Sequence, residues 1–298
     1  MTSRLLLIDG HAYAYRAFHA IRRLHAPDGT PTNAIFGFVQ MLGRLRATFQ
    51  PSHLGVIWDG GLSAERVAAL PAYKAQRPPM PPEMGPQLDE IIAFLGASGC
   101  HSFCADGVEA DDYLALAARR ASAAGLSVII ASSDKDFMQL VGPGVALVNP
   151  ADKTQSLWAA EQVRAKTGVV PEQIVDWLSL IGDSVDNIPG VAGVGPKTAT
   201  DLLVRFGSVA ALYERLDQVS SERVRASLRA AESDVRRNQQ LIRLCEDLPC
   251  AFRLENFACR PADSTRLVAL FRRWGFRTLA AQAVADVPGV EAALPGFA

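Results

Sequence analysis

Cysteine is scarce in this sequence, long apolar runs are missing, and neither sign of charge prevails. Five cysteines in 298 residues, an odd number with no Cys-x-x-Cys unit, offer no disulfide framework and fit a reducing compartment. Cys100-His101-Ser102-Phe103-Cys104 resembles half a zinc site, with no second half in evidence. No run of eighteen apolar residues occurs, so an ordinary membrane-spanning helix is excluded and no membrane partner is expected. Met1-Thr2-Ser3-Arg4 leads straight into a strand pattern and does not read as a signal peptide. The expectation is a cytoplasmic protein. With 49% apolar residues, the chain is long enough to bury a large core, as one elaborate domain or a main domain with a smaller appendage.

Lys and Arg number 30 against 31 Asp and Glu, a net charge of −1, which argues against a nucleic-acid partner only if the charge is evenly spread. It is not. Nine acids fall in five short motifs: Asp9; Asp59; Glu109, Asp111 and Asp112; Asp134 and Asp136; Asp183 and Asp186. The other 22 face 30 basic residues, a surplus of eight that suits phosphate, although setting aside any nine acids would give the same surplus.

The densest motif is Val108-Glu109-Ala110-Asp111-Asp112. Two like charges about 4 Å apart repel by roughly 4 kcal/mol at an effective dielectric near 20, so positive charge must be close by. One account is helix capping, since acidic residues at a helix start satisfy free N–H groups and favour the dipole, and the apolar run Tyr113–Ala118 follows. The other is metal ligation, which the remaining motifs favour. Nine carboxylates at five sites look like a divalent metal centre.

The motifs sit where an α/β fold places ligands. Arg4–Ile8, Leu54–Trp58 and Ser127–Ser132 are apolar runs of the kind found in buried parallel strands. They end at Asp9-Gly10-His11, Asp59-Gly60-Gly61 and Ser133-Asp134-Lys135-Asp136. Helical patterns such as Asn33–Thr48 and Glu83–Leu95 lie between them, giving a mostly parallel sheet flanked by helices. Ligands in such sheets bind beyond the carboxyl ends of the strands, where all three motifs fall. Asp134 and Asp136 face the same way if the chain stays extended and diverge if a helix has begun. Asp183 and Asp186, three apart, share one side of a helical turn. Oxygen-only ligands suit magnesium or manganese, and eight or nine carboxylates exceed one ion's needs, so two metal ions are expected.

Five segments carry a resemblance. They are Ile8-Asp9-Gly10 with Tyr15-Arg16; Tyr73-Lys74 through Arg77-Pro78-Pro79-Met80-Pro81; Gly107 to Asp112; Asp134-Lys135-Asp136 with Gln139-Leu140; and Gly182-Asp183-Ser184 with Asp186 to Val191. In this order, from about residue 4 to about residue 280, the chain resembles the 5′-nuclease domain of bacterial DNA polymerase I, within the flap endonuclease superfamily. The resemblance implies a PIN-like α/β nuclease core over residues 1–170 with a mobile arch around 63–84. A helical DNA-binding part over 171–280 and a tail over 281–298 would follow. It implies a magnesium- or manganese-dependent enzyme with 5′-to-3′ exonuclease and flap endonuclease activity in DNA replication and repair. Its expected partners are branched or flapped DNA, RNA primer–DNA hybrids, and a DNA polymerase or ligase; the protein is expected to be monomeric.

Carried over by motif, Asp9, Asp59, Glu109 and Asp111 would hold one metal, and Asp134, Asp136, Asp183 and Asp186 the other. Asp112 would lie at the edge. Arg16, Arg66, Lys74 and Arg77 match basic positions that contact the scissile phosphate or the 5′ strand. Glu65 stands where the family usually has an aromatic residue, and Ser133 where Gly or Ala is common. Glu65 places a negative charge in the region of the expected arch. The run Arg77 to Pro82 also fits a polyproline segment for a protein partner, although prolines ending a mobile loop are the more economical account.

Downstream, Ile188-Pro189-Gly190-Val191-Ala192-Gly193-Val194-Gly195-Pro196-Lys197-Thr198-Ala199 reads as a hairpin entering a helix. Amides of Gly193, Val194 and Gly195, with Lys197 beside them, can hold a phosphate without reading bases. The element resembles the helix-hairpin-helix of the family, spanning about 188–206 with Gly190 and Thr198 included, which also implies a potassium ion on its carbonyl oxygens. From Ser208 to about Leu248 the chain reads as helical and Arg-rich. Rival readings are a non-enzymatic junction-binding protein, which could dispense with carboxylates, and a single-stranded RNA nuclease, which would not need the hairpin. An aspartyl-phosphate hydrolase would need a second Asp where His11 stands.

Overall fold

A computed structural model describes residues 3–285. Most of the expected tail, from residue 286 onward, lies outside the described residues. In chain order the first half contains β1 (Arg4–Asp9), α1 (Gly10–Ala20), α2 (Asn33–Phe49), β2 (His53–Ile57), α3 (Ala64–Ala69), α4 (Met84–Ala97), β3 (His101–Phe103), α5 (Ala110–Ala123), β4 (Ser127–Ala131) and β5 (Val145–Val148). Then come β6 (Leu157–Trp158), α6 (Ala160–Thr167), α7 (Ile174–Ile181), α8 (Pro196–Phe206), α9 (Val209–Glu214), α10 (Glu222–Ala230), α11 (Glu232–Ile242), α12 (Ser264–Arg273) and α13 (Arg277–Ala285). The chain divides into two compact units that are discontinuous in sequence.

The first unit comprises residues up to Trp58, Met80–Phe103 and the stretch from Arg253. Its strands lie parallel in the order β3-β2-β1, with Leu5 opposite His53 and Gly55 opposite His101. Leu5 to Ile8 are fully buried, as an apolar run covered on both faces requires. Gly37 of α2 lets α1 approach closely, because a Cβ there would stand 2.7 Å from that of Ala17. The C-terminal segment returns for packing reasons. Phe271 and Phe276 lie against Phe94 and Phe36, and Phe257 covers Gly55, where a Cβ would meet its ring at 2.4 Å. Each such buried phenyl ring contributes about 1.5–3 kcal/mol.

The second unit comprises Asp59–Pro79 and Cys104–Phe252. Here β4 and β5 are parallel, while β6 is antiparallel to β5. Helix α5 packs on β4 with Asp112 to Ala118 buried, and α7 packs on α8 and α11. The α/β class with a mostly parallel sheet and a helical C-terminal part is as expected. The short strands β3, β5 and β6 were not legible in the apolar pattern.

Candidate metal centre

Eight of the nine predicted carboxylates belong to the second unit. Asp9 belongs to the first, at the end of β1, where its carboxylate accepts the Ala12 amide at 3.0 Å and caps α1. Arg16 is exposed on α1 in the same unit.

Glu109 occupies the N-cap position of α5 without capping it. Its side chain, 1% exposed, turns to the residues before it: one oxygen accepts the Ser63 amide at 3.0 Å and lies 3.2 Å from Arg66, and the other accepts from Tyr73 Oη and the Lys74 ammonium. These are the positive charges that the motif required. Burial opposes the charge on Glu109, but Lys74 and Arg66 outweigh it and hold its carboxyl below the ordinary range. Burial would likewise lower Lys74, yet Tyr73 and the carboxylates of Glu109, Asp111 and Asp186 keep it an ammonium, raised above its usual range.

Asp112 and Arg66 differ from expectation. Their side chains form a bidentate pair at 2.7 Å for both bonds, and Asp112 also accepts the Cys245 amide at 2.8 Å while Arg66 donates to the Arg243 carbonyl at 3.1 Å. The oxygens placed at the edge of the metal site are thus committed to fastening the loop after α11. Arg66, read as a phosphate contact, is buried and positions Glu109 and Asp112. Glu65 beside it is exposed on α3.

Asp59 follows β2 on a turn tied to the α5 loop, with Gly60 N donating to Val108 O at 3.0 Å and Gly107 N to Gly60 O at 2.8 Å. A Cβ on Gly60 would fall 1.8 Å from the Ala105 carbonyl, so only glycine fits there. Asp134 and Asp136 are neither extended nor helical neighbours. The Asp134 amide donates to Ser132 Oγ at 3.1 Å, and the Asp134 carboxylate accepts the Asp136 amide at 2.9 Å, opening a 3₁₀ turn over Asp136–Leu140. Asp183 and Asp186 do not lie on a helix either. Helix α7 stops at Ile181, and a turn follows, closed by paired amide–carbonyl bonds of 2.8 Å between Asp183 and Ile188. Gly182, at φ +76°, and Gly190 touch so closely that a Cβ on either would strike backbone at 2.4 or 2.2 Å.

This turn brings Asp183 and Asp186 together with Asp136, one oxygen from each lying within 4.8 Å of the others. Among the described residues, the other predicted ligands form no comparable group. Burial, then repulsion from Asp134, Asp183 and Asp186, pushes the Asp136 carboxyl well above its ordinary range, and Asp134 is raised by burial and by Asp186 and Asp183. One Asp136 oxygen is buried with no hydrogen-bond partner in the protein. A converging, oxygen-only set of carboxylates, one of whose oxygens has no partner in the protein, fits a hard divalent cation. The protein's own cations stand at its margin: Arg77 pairs with Asp186 at 2.8 Å, Lys135 with Asp183 at 3.2 Å, and Lys74 lies 4.0 Å from Asp186.

Two polar side chains hold this framework: Asn238, which was not singled out from the sequence, and Gln139, which was named only as part of a matched segment. Asn238, fully buried on α11, donates to the carbonyls of Ser179 at 3.1 Å and Pro189 at 2.7 Å, clamping both ends of the Asp183–Asp186 turn. Gln139 donates to the carbonyls of Asp136 and Ile242 and accepts the Leu244 amide. The segment expected as an arch contributes α3 and the turn bearing Lys74, whose amide donates to Asp186 O at 3.1 Å. Lys74 has φ +54°.

In the hairpin, Pro196 takes the first position of α8 as expected. Gly193 has φ +78°, but Gly195 is extended at φ −95° with open space around it. The Val194 side chain is buried and its amide donates to Val191 O at 3.0 Å, which removes it from the expected phosphate donors. The Gly193 and Gly195 amides donate to no protein acceptor among the described residues, and Lys197 is exposed beside them, with Thr198 half-buried.

An α/β unit bearing an acidic cluster, followed by a helical part with a glycine hairpin, is the architecture of a metal-binding nuclease. The chain belongs to the 5′-3′ exonuclease family: residues 4–168 match its N-terminal resolvase-like domain and residues 169–265 its C-terminal SAM fold. It is 36% identical over 280 residues to the DNA polymerase I of Bacillus caldotenax, covering 93% of this chain and 32% of that one. It is also 36% identical over 263 residues to the 5′-3′ exonuclease of Aquifex aeolicus (strain VF5), covering 88% and 89%. The chain thus spans about a third of the polymerase relative's length and nearly all of the exonuclease's. The fold is similar to that of the T5 5′-exonuclease with bound zinc (TM-score 0.68, 22% identity, 95% and 98% covered). It is similar too to the Rad2 catalytic core in complex with DNA substrate (TM-score 0.64, 15% identity, 96% and 93% covered).

Proposed function

We propose that this protein is a metal-dependent, structure-specific 5′ nuclease that hydrolyses phosphodiester bonds in 5′-flap and nicked or primer-containing DNA. The observation that carries the reading is the convergence of Asp136, Asp183 and Asp186, with one Asp136 oxygen buried and unpartnered, in a chain of this family. Asp134, Asp136, Asp183 and Asp186 would hold one divalent ion, and Asp59, Glu109 and Asp111, with Asp9, a second. Magnesium or manganese suits these oxygens. Bound ions would supply hydroxide near neutral pH and stabilise the attacking and leaving oxygens of an in-line displacement.

The chain's own groups do the rest. Lys74, held as an ammonium, cannot serve as a general base; it is a fixed cation for the negative charge that develops on the phosphate. Arg66 holds Glu109 in place, and Arg77 stands beside Asp186 to meet the 5′ strand. The Gly193 and Gly195 amides and Lys197 grip a duplex phosphate without reading sequence. A potassium ion on the hairpin carbonyls, RNA primers as substrate, a monomeric state, and a polymerase or ligase partner belong to the same reading. No helix among the described residues is long and apolar enough to cross a membrane, and the reading places the protein in the cytoplasm.

The test is a gel of 5′-labelled flap DNA and linear single-stranded RNA, with magnesium and with chelator. Cleavage at the flap junction only with magnesium supports the proposal. Junction binding without cleavage would favour a non-enzymatic binder, and preference for linear RNA an RNA nuclease.

A further inference from the structure

Beside the carboxylate cluster lies a second feature that the proposed chemistry does not use. A cavity of about 420 Å³ is lined by Lys135, Lys166, Lys197, Trp177 and Thr200, with Asp201 as its one acid. Its wall is fixed. Trp177 Nε1 donates to Thr200 Oγ1 at 3.0 Å, and Thr200 Oγ1 donates to the Thr167 carbonyl at 2.7 Å, tying α7, α8 and the end of α6 together. Lys166 lies over the Trp158 ring at 5.0 Å, and Lys197 stands in the first turn of α8, next to the hairpin. Three ammonium groups against one carboxylate on a rigid wall select an anion, and phosphate is the anion this reading supplies.

Lys135 belongs to both places. It lines the cavity, yet its Nζ sits 3.2 Å from Asp183, one of the three converging carboxylates. Asp183 is nearly buried, with 8% of its side chain exposed, whereas Lys135 is 36% exposed and free to swing on four methylenes. A divalent ion held by Asp136, Asp183 and Asp186 would repel the ammonium and compete with it for Asp183. The cavity that Lys135 also lines offers a place for the displaced charge.

We propose that Lys135 is a positioning residue that couples the two sites: with no divalent ion it is the counter-charge of Asp183, and on metal binding it turns into the cavity and joins Lys166 and Lys197 on a duplex phosphate. The coupling rests on the reading of this chain as a metal-dependent DNA-binding nuclease. It makes the grip on duplex stronger when the metal is in place, so unproductive complexes of the metal-free protein dissociate sooner.

The experiment measures flap-DNA affinity by fluorescence anisotropy across a salt series, in chelator and in calcium, for wild type, Lys135→Met and Lys135→Arg. Each phosphate neutralised steepens the plot of log affinity against log salt by about 0.9 on duplex DNA. Comparing variant with wild type in the same medium cancels calcium's own effect on DNA. The expected result is that wild type and Lys135→Met have the same slope in chelator, but differ by about one unit in calcium. Lys135→Arg should behave as wild type. Calorimetric titration with calcium alone should find several-fold tighter binding to Lys135→Met, since a competing cation is gone. Equal slopes in calcium, or calcium affinity unchanged or weakened by Lys135→Met, would overturn the coupling while leaving the nuclease reading intact. Wild type that bound neither calcium nor flap DNA would overturn both.

Discussion

Replacing Asp112 by Ala separates its role as a partner of Arg66 from the role of metal ligand that its place in the Glu109–Asp112 motif suggested. The pair is bidentate at 2.7 Å with side chains 9% and 4% exposed, so truncating one partner leaves a guanidinium buried against a hole. Breaking such a pair costs about 3–5 kcal/mol. Glu109 remains 3.2 Å from Arg66 and offsets part of the loss, which puts the expectation at the low end, about 3 kcal/mol. For a chain of this size each kcal/mol moves Tm by about 2–4 °C, so Asp112→Ala should melt roughly 6–12 °C below wild type in calorimetry. Manganese affinity should stay at the wild-type value. Removing both charges together, in Arg66→Met with Asp112→Leu, should recover most of the loss, because replacing a whole buried pair by apolar groups is often close to neutral. Unchanged Tm together with weakened manganese binding would refute the ion-pair account and restore Asp112 to the metal.

Three further outcomes are expected. Lys74→Ala should slow single-turnover cleavage of flap DNA by on the order of 10²-fold or more, with DNA affinity much less affected, because a preorganised cation acts on charge that develops only in the transition state; wild-type rates at saturating enzyme would remove Lys74 from the chemistry. Gly193→Val should weaken duplex binding and cost about 1–3 kcal/mol of stability through its φ of +78°, whereas Gly195→Ala, at φ −95° with open space around it, should bind and melt like wild type; anisotropy and calorimetry on the two variants check this. Burial, reinforced by Arg260, lowers His101 below its usual value near 6.5, so its contribution is present above that pH and is lost as pH falls below it. Urea denaturation at pH 7.5 and 5.5 should show a smaller acid-side loss in His101→Phe than in wild type, and equal losses would remove His101 as a cause.

What the sequence revealed and what it hid divide along physical lines. The strands β1, β2 and β4 were legible because each is a run of four or more apolar residues buried on both faces, and the aspartates that follow them mark strand ends. Strand β3 is three half-buried residues and β6 only two, too short for any period to register. The spacing of Asp183 and Asp186 suggested a helical face, but Gly182 ends α7 one residue earlier, and a closed turn sets the two carboxylates instead. Electrostatics required cations near Glu109 without saying which. Lys74 and Arg66 stand 35 and 43 positions before Glu109, and no local pattern connects a residue to a partner at such a separation. Asn238 was invisible for the same reason, and Gln139 was named in a matched segment without a role: a polar residue in a helical stretch reads as surface until the carbonyls it clamps are known.

The central claim is that Asp136, Asp183 and Asp186 converge because they hold a divalent cation. Manganese titration followed by electron paramagnetic resonance of the free ion tests it without any DNA. Wild type should take up manganese, and Asp136→Asn and Asp183→Asn should each lose most of that affinity. In chelator at pH 8, Asp136→Asn should melt no lower than wild type, because a carboxyl raised by burial and by its acidic neighbours opposes folding when ionised. Manganese affinity untouched by both substitutions, or a metal-free protein destabilised by Asp136→Asn, would contradict the account.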